Sequence, residues 1–195
     1  MGAKDIEEKV LEDYNDVFAD IINVLLFNGE EKVEENELEN TKDKSSFKDI
    51  DGVIREQERD TAKWWRKAKI RIALFGLENQ TNADPNMNLR LFGYDGAAYK
   101  SQYESGELYP VVTLVLYFGY KQRWNQPKTL FETIEIPEIL KPYVNDYKMN
   151  LFEIAWLTDE QVKMFKSDFG IVADYFVQMR KNKNYVPSDI QMIHV

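Results

Sequence analysis

Ile70-Arg71-Ile72-Ala73-Leu74-Phe75-Gly76-Leu77-Glu78-Asn79-Gln80 alternates along its length. Ile70, Ile72, Leu74 and Gly76 share one face, and the period of two carries Glu78 and Gln80 onto it. Such a run reads as a strand ending in chemistry-bearing groups. Just before it, Arg66-Lys67-Ala68-Lys69 fits a hairpin turn. That turn pairs the strand with residues 58–65 and brings Asp60 near Glu78 across the sheet. A hard divalent cation needs carboxylate oxygens held close together, and neighbouring strands hold them more rigidly than loops. Two carboxylates about 4 Å apart repel by about 4 kcal/mol at an effective dielectric of 20, so a cation or proton must offset the cost. The same residues also read as ordinary solvated charges at a strand end.

The surrounding chain fits one domain over residues 1–195, with a flexible charged loop at 30–46 and a tail at 183–195. Of its 195 residues 44 % are hydrophobic and 30 % charged, a globular balance. No stretch approaches the length of apolar residues a membrane span needs. Cysteine is absent, which excludes thiol catalysis, disulfides and Cys-type zinc sites. With His194 as the single histidine, Ser–His–Asp chemistry and multi-His metal sites are disfavoured, and any metal must sit on oxygen ligands. The N-terminus shows neither an apolar signal core nor an Arg-rich transit pattern, so a cytoplasmic location is expected. A net charge of −9 argues against broad adhesion to nucleic acid but leaves room for a locally basic groove.

On either side of the strand, helical and extended patterns alternate. Residues 10–27 carry Leu11, Tyr14, Phe18, Ile21, Ile22 and Leu25 at helical spacing, with Asp13, Asp16, Asp20 and Asn23 opposite. Asn28-Gly29 stops this helix as a left-handed cap does. A helix over 91–103 follows the loop at 79–89, and 109–118 reads as a central strand buried on both faces. Residues 151–157 form a further apolar strand. Thr158-Asp159-Glu160-Gln161 is a capping box opening the last long helix, where Val162, Phe165, Phe169, Val172, Phe176 and Met179 step by three and four. That stripe reads as core packing, with a dimer seam as the alternative. The order predicts an α/β sandwich around a small mixed sheet. Trp64 and Trp65 point to opposite faces, so one enters the core while the other covers it or stacks on a base. Lys121, Arg123, Trp124 and Lys128 lie in a polar aromatic loop that suits phosphate contact and equally suits an ordinary surface.

Several segments, in order, carry a resemblance: Phe18-Ala19-Asp20-Ile21-Ile22-Asn23, Arg55-Glu56-Gln57-Glu58-Arg59-Asp60, Gly76-Leu77-Glu78-Asn79-Gln80-Thr81, Gly93-Tyr94-Asp95-Gly96-Ala97-Ala98-Tyr99, Pro110-Val111-Val112-Thr113-Leu114-Val115-Leu116-Tyr117-Phe118-Gly119 and Phe152-Glu153-Ile154-Ala155-Trp156-Leu157. Together they resemble the bacterial recombination-promoting nuclease/transposase family, part of the PD-(D/E)XK nuclease superfamily. The resemblance implies a restriction-endonuclease-like αβββαβ core, a mixed sheet flanked by helices, plus a C-terminal helix. It also implies hydrolysis of phosphodiester bonds in DNA with Mg²⁺ or Mn²⁺ as cofactor.

On this resemblance Asp60 is the central metal-binding aspartate, Glu78 is the second acid, and Gln80 stands where most of the superfamily has lysine. Asp20 matches an acidic position on the first helix, and the Asn79 carbonyl is a further ligand. Tyr99, Lys100 and Gln102 lie on the helix after the catalytic strand, which in such nucleases faces the site. From pattern alone Asp20 is a solvated acid on a polar helix face. Gln80 can orient a water but carries no charge, so it cannot fill a lysine's electrostatic role. Lys63 and Lys100 are neighbouring cations, although Lys63, three residues past Asp60, should face the other way.

Three classes of function remain. The first is a metal-dependent DNA endonuclease, with DNA as partner, no membrane, and homodimerisation compatible with the pattern. The second is a nuclease fold with degraded chemistry that binds or regulates. The third is a structural protein without a nucleic-acid role. Retention of Asp60, Glu78 and Gln80 together favours the first over the second.

Overall fold

Phe18, Ile21 and Ile22 are fully buried and drive α1 (Asn15–Phe27) onto a sheet. Each such side chain contributes about 2–3 kcal/mol by leaving water. The computed structural model describes residues 11–41, 44–48, 54–58, 60–67, 70–182 and 185, with the backbone path alone at 44–48, 54–58 and 70–72. Of the turn predicted at 66–69, Arg66 and Lys67 belong to a strand and pair with Arg71 and Ile70, while residues 68–69 lie outside the described residues, as do His194 and the tail apart from Tyr185. Helix α1 begins later than its periodicity predicts, because the chain bends at Asp13 and Tyr14 after a helical turn at Leu11 and Glu12. Asn28 closes it as expected, at φ 53°, with its N–H donating to the Asn23 carbonyl.

Residues 30–41 are not the loose loop their charge suggests. The buried Asn23 side chain accepts from the Lys32 and Val33 N–H groups at 3.0 and 2.9 Å and donates to the Val33 carbonyl at 2.8 Å. Val33 and Leu38 are thereby buried, and edge strand β1 (Leu38–Asn40) follows a 3₁₀ turn at Glu35–Glu37. Two apolar anchors among many charges suffice to order the segment.

Strands β2 (Lys44–Lys48) and β3 (Ile54–Glu58) make a separate antiparallel ribbon. Strands β4 (Thr61–Lys67) and β5 (Ile70–Gln80) form the expected hairpin, with Thr61 opposite Leu77. Helix α2 (Met87–Ser105), longer than the 91–103 pattern, returns the chain to β6 (Val111–Tyr117), which runs parallel to β5. After the short α3 (Leu130–Thr133) comes β7 (Asn150–Glu153), parallel to β6. The five-stranded sheet runs β1-β4-β5-β6-β7. The strand predicted over 151–157 stops at Glu153, where a 3₁₀ turn (Ile154–Trp156) buries Ile154 and Ala155.

The Thr158 capping box forms, with Thr158 Oγ1 accepting from Gln161 N–H and Gln161 Oε1 accepting from Thr158 N–H. It opens only one turn, α4 (Asp159–Val162), and the long helix α5 (Phe169–Lys181) starts afresh. The cause is Asp20. Its Oδ2 accepts from Lys166 N–H, Ser167 N–H and Ser167 Oγ at 2.8, 2.8 and 2.7 Å, which diverts the backbone between the two helices.

Strand β6 is buried on both faces, as predicted. Leu114 and Leu116 pack with Phe75, Leu77 and the inner sides of α1 and α5, while Val115 and Tyr117 pack with Leu91 and Tyr94 of α2. The result is a five-stranded mixed sheet flanked by helices with a helix at its C-terminal end, compatible with a restriction-endonuclease-like fold. No helix among the described residues is long and apolar enough to cross a membrane.

Candidate active site

Because Thr61 stands opposite Leu77, Asp60 comes beside Glu78 at the end of the β4–β5 pair. Asp60 Oδ2 accepts the Asn79 N–H at 2.8 Å, which fixes this carboxylate at the strand end. Leu74 packs toward α2, and the period of two aims Glu78 and Gln80 toward the same helix. Parallel strands β5 and β6 end here side by side, with the Phe118 N–H donating to the Gln80 carbonyl at 2.8 Å. The carboxyl ends of neighbouring parallel strands are where open α/β sheets commonly bind ligands.

Glu78 is only 1 % exposed. A buried carboxylate needs a counter-charge, since desolvation costs several kcal/mol. Arg90 answers it from the first turns of α2. One guanidinium nitrogen lies 3.4 Å from Glu78 Oε2 and donates to Tyr94 Oη at 3.3 Å, while the other donates to Asp84 Oδ2 at 3.0 Å. A cation near a helix N-terminus opposes the macrodipole, so these carboxylates, not the helix, explain its position. Burial would lower the Arg90 pKa, but hydrogen bonds to Tyr94 and Asp84 and the charge of Glu78 hold it above the ordinary value. Burial, then the charge of Glu78 and more weakly that of Asp60, push the Tyr94 phenol up, with Arg90 opposing. Tyr94 therefore sits within the field of both acids.

On the opposite sheet face, Asn79 Nδ2 donates to Glu12 Oε2 at 3.0 Å. Glu12 is fully buried in the helical turn before the bend at Asp13 and Tyr14. Nearby, buried Lys63 donates to Asp13 O, Asn15 Oδ1 and Asn40 Oδ1 at 2.6, 2.7 and 2.7 Å. Lys63 thus faces away from Glu78, as its register predicts. Its burial lowers its pKa, against the opposing charges of Asp13 and Asp16.

The structure brings Asp60, Glu78, Asn79 and Gln80 together at one strand end. It does not add Asp20 to them, because that carboxylate is committed to Lys166 and Ser167. The acid that meets the strand end from the first helical segment is Glu12, which the amphipathic pattern left unremarked. Tyr99 and Gln102 belong to the other end of α2. Tyr99 Oη accepts the Val111 N–H, and Gln102 Oε1 accepts the Tyr109 N–H, so both hold the turn into β6. Val111 pairs with Leu74, four residues before Glu78, or about 13 Å along the strand. Lys100 is exposed, ten residues beyond Arg90, or about 15 Å along the helix.

Trp124 cannot stack on a base. It is buried edge-on against Tyr117 at 5.3 Å, and its indole N–H donates to the Gln126 carbonyl. Trp65 likewise stacks on Phe75, and Trp64 meets Tyr109 edge-on. Lys121 and Arg123 do remain exposed on the loop after β6, and Arg123 and Arg180 both lie over the Trp156 ring, at 4.7 and 4.9 Å. Arg180, Arg90, Tyr94 and Asp84 escape sequence reading. Arg90 falls before the apolar pattern that marks α2, and its partners meet only through the fold. A separate cleft of about 490 Å³, between α1, residues 29–36 and Met164–Ser167, sets the acids Asp16, Asp20, Glu31, Glu34 and Glu35 against the single cation Lys166 among the described residues, a balance that repels a polyanion.

The donor set at the strand end fits a hard cation. Asp60 and Glu78 offer carboxylate oxygens on one face, while the Asn79 side chain, turned to Glu12 on the other face, could add only its backbone carbonyl. Those residues contain no cluster of three acidic or histidine side chains suited to a metal ion. Mg²⁺ commonly takes one or two carboxylates and completes its shell with water and substrate phosphate.

A family model described as "Putative transposase, YhgA-like" matches residues 66–185, more than half of the chain. Neither a curated protein nor a solved structure matches it.

Proposed function

The chain belongs to the YhgA-like transposase family, and from that membership we propose that it is a divalent-metal-dependent DNA endonuclease acting in transposition or recombination. The juxtaposition of Asp60 and Glu78 at the carboxyl end of β5 carries the reading. Asp60 and Glu78 would hold Mg²⁺ or Mn²⁺, with the Asn79 carbonyl and the Gln80 side chain as neighbouring oxygen donors. A cation bound there would lower the pKa of a water and offset charge on the scissile phosphate. Asp60 keeps its oxygen in place through the Asn79 N–H, and Glu12 braces Asn79 from behind. The Gln80 amide orients the attacking water without changing its charge. The exposed Lys121 and Arg123, on the loop leaving the adjacent strand, contact the phosphate backbone.

The test is nicking of supercoiled plasmid with Mg²⁺ or Mn²⁺ by the native chain and by Asp60→Ala. Metal-dependent nicking that falls by about 100-fold or more in the variant, with unchanged unfolding in urea, is the expected result. Equal nicking by both proteins would show Asp60 to be misassigned. One observation favours a second reading, a binding or regulatory module: Gln80 carries no charge. Failure of the well-folded native chain to cut single- or double-stranded DNA with either metal would establish that reading instead.

A further inference from the structure

The strand end gathers Asp60, Glu78 and Asp84, while Gln80 brings no positive charge to them. Cleaving a phosphodiester adds negative charge to the phosphate in the transition state, and a fixed cation there is worth far more than one in water. Lys63 cannot supply it, being tied to Asp13, Asn15 and Asn40 on the other face. Lys100 lies too far along α2.

Arg90 is placed to do so. Its guanidinium spans from the buried Glu78 carboxylate, 2 % exposed, to solvent, with the Arg90 side chain itself 36 % exposed. Asp84, itself braced by an Asx bond to the Asn86 N–H, holds the outer nitrogen at 3.0 Å. Tyr94 Oη supports the inner one at 3.3 Å. A guanidinium presents a planar fork matched to phosphate oxygens and stays charged at any working pH.

We propose that Arg90 is the catalytic cation of this site, the counter-ion of Glu78 until a divalent metal takes that carboxylate, and then the ligand of the scissile phosphate. The inference rests on the endonuclease reading. A divalent cation held by Asp60 and Glu78 would weaken the pairing of Arg90 with Glu78, and the Asp84 bond would keep the guanidinium at the mouth of the site, within reach of a phosphate. In the cleavage step a water oxygen bonds to phosphorus as the ester P–O bond breaks. The leaving oxygen keeps the electron pair and takes a proton from solvent, and the attacking water releases one to solvent. Arg90 stays protonated throughout and stabilises the added charge on the non-bridging oxygens.

Two measurements on the native chain, Arg90→Gln and Arg90→Lys test this. One is Mn²⁺ affinity without DNA, by titration calorimetry. The other is single-turnover plasmid nicking at saturating Mn²⁺. Arg90→Gln should bind Mn²⁺ as tightly as the native chain or tighter, because a competitor for Glu78 is gone, yet nick about 100-fold more slowly. Arg90→Lys should recover part of the rate, having the charge without the fork, and it carries the test if Arg90→Gln does not fold. Native-like nicking in both variants would overturn the proposal while leaving the endonuclease reading intact. Loss of Mn²⁺ binding along with nicking would also overturn it, by making Arg90 a support for Glu78 alone. A native chain that does not nick overturns both.

Discussion

Lys63 shows how much a single side chain can be asked to hold. Its fully buried ammonium joins the bend before α1, the start of α1 and edge strand β1 through three acceptors. Lys63→Met keeps the length of the side chain and removes every donor. Leaving buried acceptors unpaired costs about 1–3 kcal/mol each before relaxation. We expect a net loss of about 3 kcal/mol in urea unfolding. A loss below about 1 kcal/mol would mean that water replaces the ammonium. Asp60 and Glu78 were legible from register and alternation, because both depend only on the local period of the strand. Glu12 and Arg90 were not. Nothing within either residue's own neighbourhood says that it will meet Asn79 or Glu78.

At the turn after β6 one glycine sets the loop that carries Lys121 and Arg123. A Cβ on Gly119 would lie 2.0 Å from Tyr117 Oη. That tyrosine is locked, with its hydroxyl donating to the Gln122 carbonyl and its ring against Trp124. Gly119→Ala must therefore displace the ring or the loop, and we expect a loss of about 1–3 kcal/mol. A neutral result in urea unfolding would show that the ring moves freely. The ends of elements were misread for a related reason. The Thr158 capping box was recognised correctly as a helix start, yet Asp20, far away in sequence, stops that helix after a turn. Here a local signal begins the helix, and hydrogen bonds to a distant carboxylate hold the chain that leaves it.

For the molecule as a whole, a net charge of −9 means that any grip on DNA must be local. The exposed cations after β6, with Arg123 and Arg180 on Trp156, lie on the side of the sheet where β5 and β6 end. If Lys121 and Arg123 each neutralise one phosphate, the slope of log affinity against log salt for duplex DNA should shrink by about 1.8 in the double variant Lys121→Ala/Arg123→Ala. The loss should be uniform across DNA sequences, since phosphate contacts carry no base information. An unchanged slope, measured by fluorescence anisotropy over a range of salt, would move the DNA path away from this loop. The acidic cleft beside Asp20 is unsuited to DNA.

Local pattern, whether hydrophobic period, an apolar run or a turn signal, specified α1, the β4–β5 hairpin, the doubly buried β6 and the pairing of Asp60 with Glu78. These are properties of chain segments a few residues long, where face and register follow from alternation. Composition likewise confined any metal site within the chain to oxygen ligands, by excluding cysteine and reducing histidine to one. The third dimension settled which charges are neighbours. It sent Asp20 to Lys166 and Ser167, Gln102 to Tyr109, and Arg90 to Glu78 and Asp84. A carboxylate's role depends on what desolvates and pairs it, and those partners come from segments that meet only when the core closes.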